Sequence, residues 1–231
     1  MAMTPEEMVL FYGEQADLTK EGLAVAESTS NYYLGTLNLS ENFKCRMMQG
    51  LITWRIGNDP SEFFGQAVQS YHDDWALLTT IGGETATFSD TPVEKVPFLS
   101  YLIGQQDSPL GVDGLEGDRL LDAVLGKWLF GSWEESLWAM GMEQLRTSGS
   151  KLALDTYGLY ESVVRASSSD MAALMEKGAK LFSNRKSDKF YSGGDETESG
   201  GEDNNVTVDY RLASLAKRHG YRGAGTHVWK W

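Results

Sequence analysis

The stretch FKCRMMQGLITWRIGNDPSEFFGQAV, residues 43–68, contains the pattern that decides the fold. Four apolar residues of its first half recur at spacings of three and four: Phe43, Met47, Leu51 and Trp54. That spacing places them on one face of a helix. Gly57 and Pro60 mark the end of this helix, because glycine favours the left-handed turn there and proline cannot continue a helix. Helical spacing resumes at Phe64, so we predict two helices joined by a tight turn, a helical hairpin.

The same helical spacing of apolar residues recurs along most of the chain. We predict helices over 5–17, 19–37, 41–57, 61–82, 93–104, 115–130, 132–146, 150–166, 168–184 and 208–219. Thr4 and Glu7 predict a capping box at the first helix. Strand signals are nearly absent, and VTVDY at 206–210 is the one short candidate. The sequence therefore predicts an all-α fold of antiparallel helical hairpins, packed as a bundle or a short helical-repeat array.

The length of the chain bounds its domain organisation. A chain of 231 residues is long enough to bury a substantial core. We predict a single helical domain over residues 1–231, which could divide into sub-halves 1–83 and 112–231. Residues 187–207 are rich in glycine, serine and acidic residues, and we predict a flexible acidic loop there.

A weak internal repeat links the two sub-halves. The residues Leu51, Trp54 and Gly57 recur 74 positions later as Leu125, Trp128 and Gly131. Either the two hairpins are structural equivalents, or any two hairpins with a glycine turn would share these apolar positions.

The negative charge of the protein is unevenly distributed. The net charge is −13, and residues 1–110 contribute −10 from 15 acidic and five basic residues. Residues 188–209 contribute a further −6, from seven acidic residues and one basic residue. Such a surface repels nucleic acids and membrane phosphates and speeds the encounter with a basic protein. The simpler interpretation is that the charge only keeps the protein in solution.

Two features of the sequence indicate the cellular location of the protein. No run of about 18 apolar residues occurs, and the N-terminus has acidic residues where a signal peptide needs basic ones. Cys45 is the only cysteine, so an intrachain disulfide or a cysteine-based zinc site is excluded. We expect a cytoplasmic protein that contacts neither membrane nor nucleic acid and needs no cofactor.

The string Tyr71-His72-Asp73-Asp74 is the most enzyme-like motif in the chain. Adjacent histidine and aspartate can bind a divalent metal, but such a site needs further ligands, and only His219 and His227 remain as other histidines. We expect a solvated helix face rather than a metal site. No pattern typical of a nucleophile, an acid–base pair or a phosphate loop is present, so we do not expect an enzyme.

The last third of the chain combines an apolar pair, a polar loop and a final helix. The residues concerned are Leu181, Phe182, Arg185, Asp188, Val208, Asp209, Tyr210, Leu212, Ala213, Leu215, Lys217, Gly220, His227, Val228 and Trp229. This pattern resembles the C-terminal end of all-helical immunity proteins of bacterial polymorphic and contact-dependent toxin systems, of the type VI secretion kind. The resemblance implies a small cytoplasmic protein that binds a cognate toxin and blocks its active site or a surface beside it.

The acidic residues are the candidates for toxin contact. Many toxins act on nucleic acids and have basic grooves, to which an acidic inhibitor presents a phosphate-like field. The predicted partner-binding residues are Asp59, Glu62, Asp73, Asp74, Asp195, Glu196, Glu198, Glu202 and Asp203. Two other readings stay open: a helical adaptor that binds an endogenous partner, and a metal-dependent hydrolase that uses His72 and Asp73.

Overall fold

The computed structural model describes residues 3–87, 90–106, 111–148, 151–167, 169–183 and 209–221, which form nine α-helices and no strand. The helices are α1 Pro5–Thr29, α2 Tyr32–Arg55, α3 Ser61–Gly82, α4 Val96–Leu102, α5 Gly117–Leu129, α6 Glu135–Ser148, α7 Lys151–Arg165, α8 Met171–Ser183 and α9 Tyr210–Arg218. Adjacent helices pack as hairpins, among them α1 with α2, α2 with α3, and α5 with α6. The predicted all-α fold is confirmed.

The described residues belong to two compact units. The N-terminal unit contains the described residues up to 92, and the C-terminal unit contains those from 93 to 183 and from 209 to 221. The predicted loop 187–207 lies outside the described residues.

Helix α2 is the centre of the N-terminal unit, because it packs against both α1 and α3. Large apolar side chains from α2 and α3 form its core: Leu39, Phe43, Met47, Leu51, Phe64, Tyr71 and Leu78. Gly50 lets α3 come close, since a Cβ at this position would lie 2.4 Å from the ring of Phe64. The hairpin predicted from residues 43–68 is thus formed, with α2 and α3 in close contact at Gly50 and Phe64.

The connection between α1 and α2 differs from the prediction. A break was expected near residue 18 and another before residue 41, whereas α1 continues to Thr29 and α2 runs without a break to Arg55. The chain turns instead at Ser30, whose φ of 50° is left-handed. Asn31 then caps α2 by accepting a hydrogen bond from the backbone N–H of Leu34.

The turn at Ser30 is a Schellman motif without glycine. The N–H of Ser30 donates to the carbonyl of Glu27, and the N–H of Asn31 donates to the carbonyl of Ala26. The prediction of one helix over residues 19–37 missed this turn, because serine rarely adopts a left-handed conformation. As a result, the single apolar stripe expected over residues 19–37 is wrong: Leu23 is buried in α1, whereas Tyr33 is exposed on α2.

The 74-residue repeat corresponds to two hairpins with the same turn. Gly57 and Gly131 both have positive φ and both donate to the carbonyl of a tryptophan three residues earlier, Trp54 and Trp128. Five residues separate the helices in each hairpin, 56–60 and 130–134. The repeated glycine is therefore the residue that the left-handed position of this turn favours.

Helix α9 is the centre of the C-terminal unit, where it contacts α4, α5, α7 and α8. Consecutive residues of α9 are buried on every side of the helix: Leu212, Ala213, Ser214, Leu215 and Ala216. Gly178 of α8 makes room for it, because a Cβ at Gly178 would lie 2.3 Å from a methyl carbon of Leu212. Several residues that carry the family resemblance are thus interior residues of this unit.

Replacement of Ser30 by glycine should stabilise the protein by about 0.5–1 kcal/mol, because glycine adopts a left-handed conformation without the steric penalty of a Cβ. Urea unfolding of Ser30→Gly and wild type measures the difference. Gly57→Ala is the matched control, since it introduces a Cβ at the equivalent turn and should destabilise by about 1 kcal/mol. A Ser30→Gly protein no more stable than wild type would contradict the assignment of the turn.

Candidate protein-binding surface

Asp59 is exposed and lies two residues before the start of α3 at Ser61. Its carboxylate accepts hydrogen bonds from the backbone N–H of Ser61 at 2.9 Å and from the Ser61 hydroxyl at 2.6 Å. These hydrogen bonds lower the pKa of Asp59 below its ordinary value. Asp59 is therefore ionised at neutral pH, and it has a local structural role as well as being available to a partner.

Glu62 and Asp73 share the solvent-exposed face of α3. They are eleven residues apart, about 16 Å along the helix axis, and near the same angular position around it. Gln66 donates to Glu62 at 3.2 Å and Gln69 donates to Asp73 at 2.9 Å. Neither carboxylate forms an ion pair with a described residue, so this face presents two unneutralised negative charges.

Asp74 occupies a different environment from its neighbour. Its side chain is half-buried, and its Oδ2 atom is buried without a hydrogen-bond partner within the described part of the chain. Burial, with a smaller contribution from the Asp73 carboxylate, raises the pKa of Asp74 to about 7, while the charge of Lys20 in α1 opposes the rise. The charged form of Asp74 therefore destabilises the folded unit. Asp74 does not lie on the face that Glu62 and Asp73 share.

His72 and Asp73 are adjacent in the sequence but are not joined by further metal ligands. The ring of His72 lies edge-on to that of Tyr71, with 5.8 Å between centroids. Among the described residues, no group of three or more His, Cys, Asp and Glu side chains is placed to hold a metal ion.

The other five predicted contact residues lie outside the described residues: Asp195, Glu196, Glu198, Glu202 and Asp203. Their role as partner-binding residues stays a prediction.

The N-terminal unit has most of the excess negative charge. Residues 1–92 contain 13 acidic and four basic residues, a net charge of −9. The ion pairs of these bases are made within the unit: Arg46 and Lys20 lie 2.9 and 3.6 Å from Asp17, and Lys44 lies 3.5 Å from Glu41. Four bases cannot neutralise 13 acidic residues, so most carboxylates of this unit contribute to a negative electrostatic field around it.

Sequence reasoning missed a second feature of this unit, which we name the outer face of α1. Its exposed apolar residues are Met3, Leu10, Phe11, Leu18 and Val25, and its acidic residues are Glu7, Glu14 and Glu21. At 100° per residue these positions lie opposite the buried side of the helix, which includes Ala16 and Leu23. The signal was present in the sequence, because α1 has apolar residues at helical spacing on two opposite sides.

The C-terminal unit encloses its main charged cluster. Arg211 donates from Nε and Nη2 to Oδ2 of Asp122, each at 2.7 Å, and Tyr157 donates to Oδ1 at 2.9 Å. The side chains of Asp122 and Arg211 are only 3% and 13% exposed. Burial raises the pKa of Asp122 to about 6, against the effect of Arg211. The carboxyl is still ionised at neutral pH, and its oxygen atoms are occupied by internal donors.

None of the helices in the described part of the chain combines the length and apolar character that a bilayer-spanning helix needs. No model of a known protein family matches the chain, and neither a curated protein nor a solved structure gives a significant match. The function must therefore be inferred from the chemistry of the surfaces.

Replacement of Asp74 by asparagine should stabilise the protein above neutral pH. A carboxyl whose pKa rises from 3.8 to about 7 on folding favours the folded state less as pH increases between these values. Asparagine removes this loss, and we expect a gain of about 1 kcal/mol at about pH 8, reduced from the full pKa difference because the group is partly solvated.

Thermal unfolding of Asp74→Asn and wild type at several pH values measures this effect. The gain should shrink towards zero as pH falls to about 4, where the carboxyl is protonated in the folded state. Glu14→Gln is the control, because Glu14 is exposed and its replacement should leave stability within about 0.5 kcal/mol at every pH. A gain that does not change with pH would show that the Asp74 charge is not its cause.

Replacement of Arg211 by methionine should cost about 3–5 kcal/mol of stability, because it leaves the Asp122 carboxylate buried without its cation. The double variant Arg211→Met with Asp122→Leu should recover most of this loss, since neither charge remains. A double-mutant cycle in urea measures the coupling between the two sites. Simple addition of the two single effects would rule out a direct interaction.

Proposed function

We propose that the protein is an immunity protein that binds a cognate bacterial toxin and neutralises it. One observation carries the proposal: the N-terminal unit has a net charge of −9, and Glu62 and Asp73 on its surface have no cationic partner among the described residues. Two exposed carboxylates about 16 Å apart, neither with a cationic partner, contribute no stability to the fold. Their arrangement is accounted for if a basic protein covers them.

Electrostatic and steric occlusion of the toxin's active site is the mechanism that fits such a surface. A toxin that cleaves nucleic acid must have a basic groove for phosphates, and a carboxylate row presents the same sign of charge as a phosphate backbone. Charge complementarity of this kind accelerates association and selects the partner. A nuclease is therefore the class of toxin that we propose.

The resemblance to immunity proteins supports the same function in a limited way. Most of its residues on α9 are buried, so they are suited to a structural role in the fold and not to contact with a partner. Interior residues constrain the fold, while the exposed residues are left to vary with the partner.

A helical adaptor for an endogenous partner is the alternative, and the identity of the partner separates the two. The full-length tagged protein is expressed in its native cells, and co-purified proteins are identified by mass spectrometry. Each candidate is then purified and tested for toxicity and nuclease activity with and without this protein. Stoichiometric inhibition of a toxic nuclease supports immunity, whereas a stable complex with a non-toxic partner would establish the adaptor function.

Neutralisation of Glu62 and Asp73 should weaken toxin binding about tenfold, mainly through slower association. The double variant Glu62→Gln with Asp73→Asn is compared with wild type by stopped-flow association at several salt concentrations. Its rate should depend less on salt than that of wild type, because two charges that steer the toxin are gone.

The matched control removes two carboxylates from the C-terminal unit, Asp155→Asn with Glu176→Gln. Both residues are exposed, so the total charge changes equally in the two double variants. Equal effects of the two double variants would mean that net charge alone governs binding, and the α3 face would then be excluded as the contact.

A further inference from the structure

The outer face of α1 has a regular arrangement of apolar and acidic residues. Phe11, Leu18 and Val25 recur every seven residues, and Glu7, Glu14 and Glu21 recur every seven residues between them. Leu10 and Leu18 are 68% and 56% exposed, so these side chains are not part of the core. The helical part of the face extends about 27 Å from Glu7 to Val25, at 1.5 Å per residue.

The exposed apolar residues are concentrated on this one helix. Five of the nine large apolar side chains that are exposed among the described residues belong to α1 or the residues just before it. Isolated exposed apolar residues are ordinary, but a contiguous exposed row indicates an interaction surface. A seven-residue repeat is the spacing at which a second helix can follow the first over several turns.

The charges on the face determine what can occupy it. Helix α1 contains six acidic residues and one basic residue, Lys20. Lys20 is rotated away from the outer face and pairs with Asp17. Glu14 and Glu21 form no ion pair with a described residue, so the apolar row is flanked by uncompensated negative charge.

Three kinds of occupant conflict with this charge. A second copy of the chain would bring Glu7, Glu14 and Glu21 of both copies into one interface without a cation from either face, and this meeting of like charges is destabilising. An anionic membrane surface and a nucleic acid would both bring phosphates against the same carboxylates. A basic helix meets both requirements, because its apolar side chains cover the row and its cations neutralise the glutamates.

We propose that the outer face of α1 binds a basic amphipathic helix of another protein. The bound helix has apolar residues at seven-residue intervals, with lysine or arginine placed to reach Glu14 and Glu21. The proposal rests on the proposed function in that we assign this helix to the toxin, but the chemistry of the surface requires only that the partner be basic and helical.

Site-specific photocross-linking tests the proposal in the full-length protein. The photoreactive amino acid p-benzoylphenylalanine replaces Leu18, or replaces Met140 as a control at an exposed apolar residue of the C-terminal unit. After irradiation in native cells, the cross-linked peptide is sequenced by mass spectrometry. The expected product at position 18 is a basic segment of another protein with apolar residues at seven-residue spacing, absent from the Met140 sample.

Charge reversal checks that the glutamates contribute to the contact. Glu14→Lys with Glu21→Lys should lower the yield of the position-18 product at least about fivefold, whereas Glu143→Lys with Asp155→Lys in the C-terminal unit should not. Reversal of the facing lysines or arginines in the partner to glutamate should restore the yield. Circular dichroism establishes that each variant is folded.

Three results would overturn the proposal: a product with a second copy of the chain, a product with its own residues 222–231, and no product above the Met140 control. The proposed function fails separately. A basic helix from a non-toxic protein would support this contact and overturn its assignment to the toxin. Inhibition of a toxin without a position-18 product would support immunity and overturn this contact.

Discussion

The ion pair between Arg211 and Asp122 is the interaction on which the C-terminal unit most depends. Two charges removed from water are tolerated only when their geometry satisfies both, and here Tyr157 occupies the remaining carboxylate oxygen. Because the three side chains come from α9, α5 and α7, a shift of any of these helices would leave a buried charge without its partner. The cluster therefore fixes one arrangement of helices around α9.

The N-terminal unit uses its charges differently. Its helices are held together by apolar side chains and by close approach at Gly50, while most of its carboxylates point outwards. Glu62 and Asp73 on α3 contribute little to the fold, and Glu14 and Glu21 on α1 flank an apolar row. The C-terminal unit thus encloses the Asp122–Arg211 ion pair that stabilises it. The N-terminal unit instead has carboxylates on its surface that can attract a basic partner.

Turn chemistry explains how much of the fold could be predicted. The capping box of Thr4 with Glu7 and the glycine turn at Gly57 were read correctly, because each depends on residues a few positions apart. The turn at Ser30 was missed because serine seldom occupies a left-handed position. The α3 acids were all treated as surface residues, yet Asp74 is half-buried, since one helical position separates it from the exposed Asp73.

The helical class, the hairpin at residues 43–68 and the concentration of negative charge in the first half follow from periodicity, caps and composition, which are local properties of the chain. Which charges are enclosed and which are exposed depends on how the helices pack. Arg211 and Asp122 are 89 residues apart, and no spacing rule brings them together. The exposure of the outer face of α1 was decided in the same way, because a helix with two apolar sides buries whichever side its neighbour α2 covers.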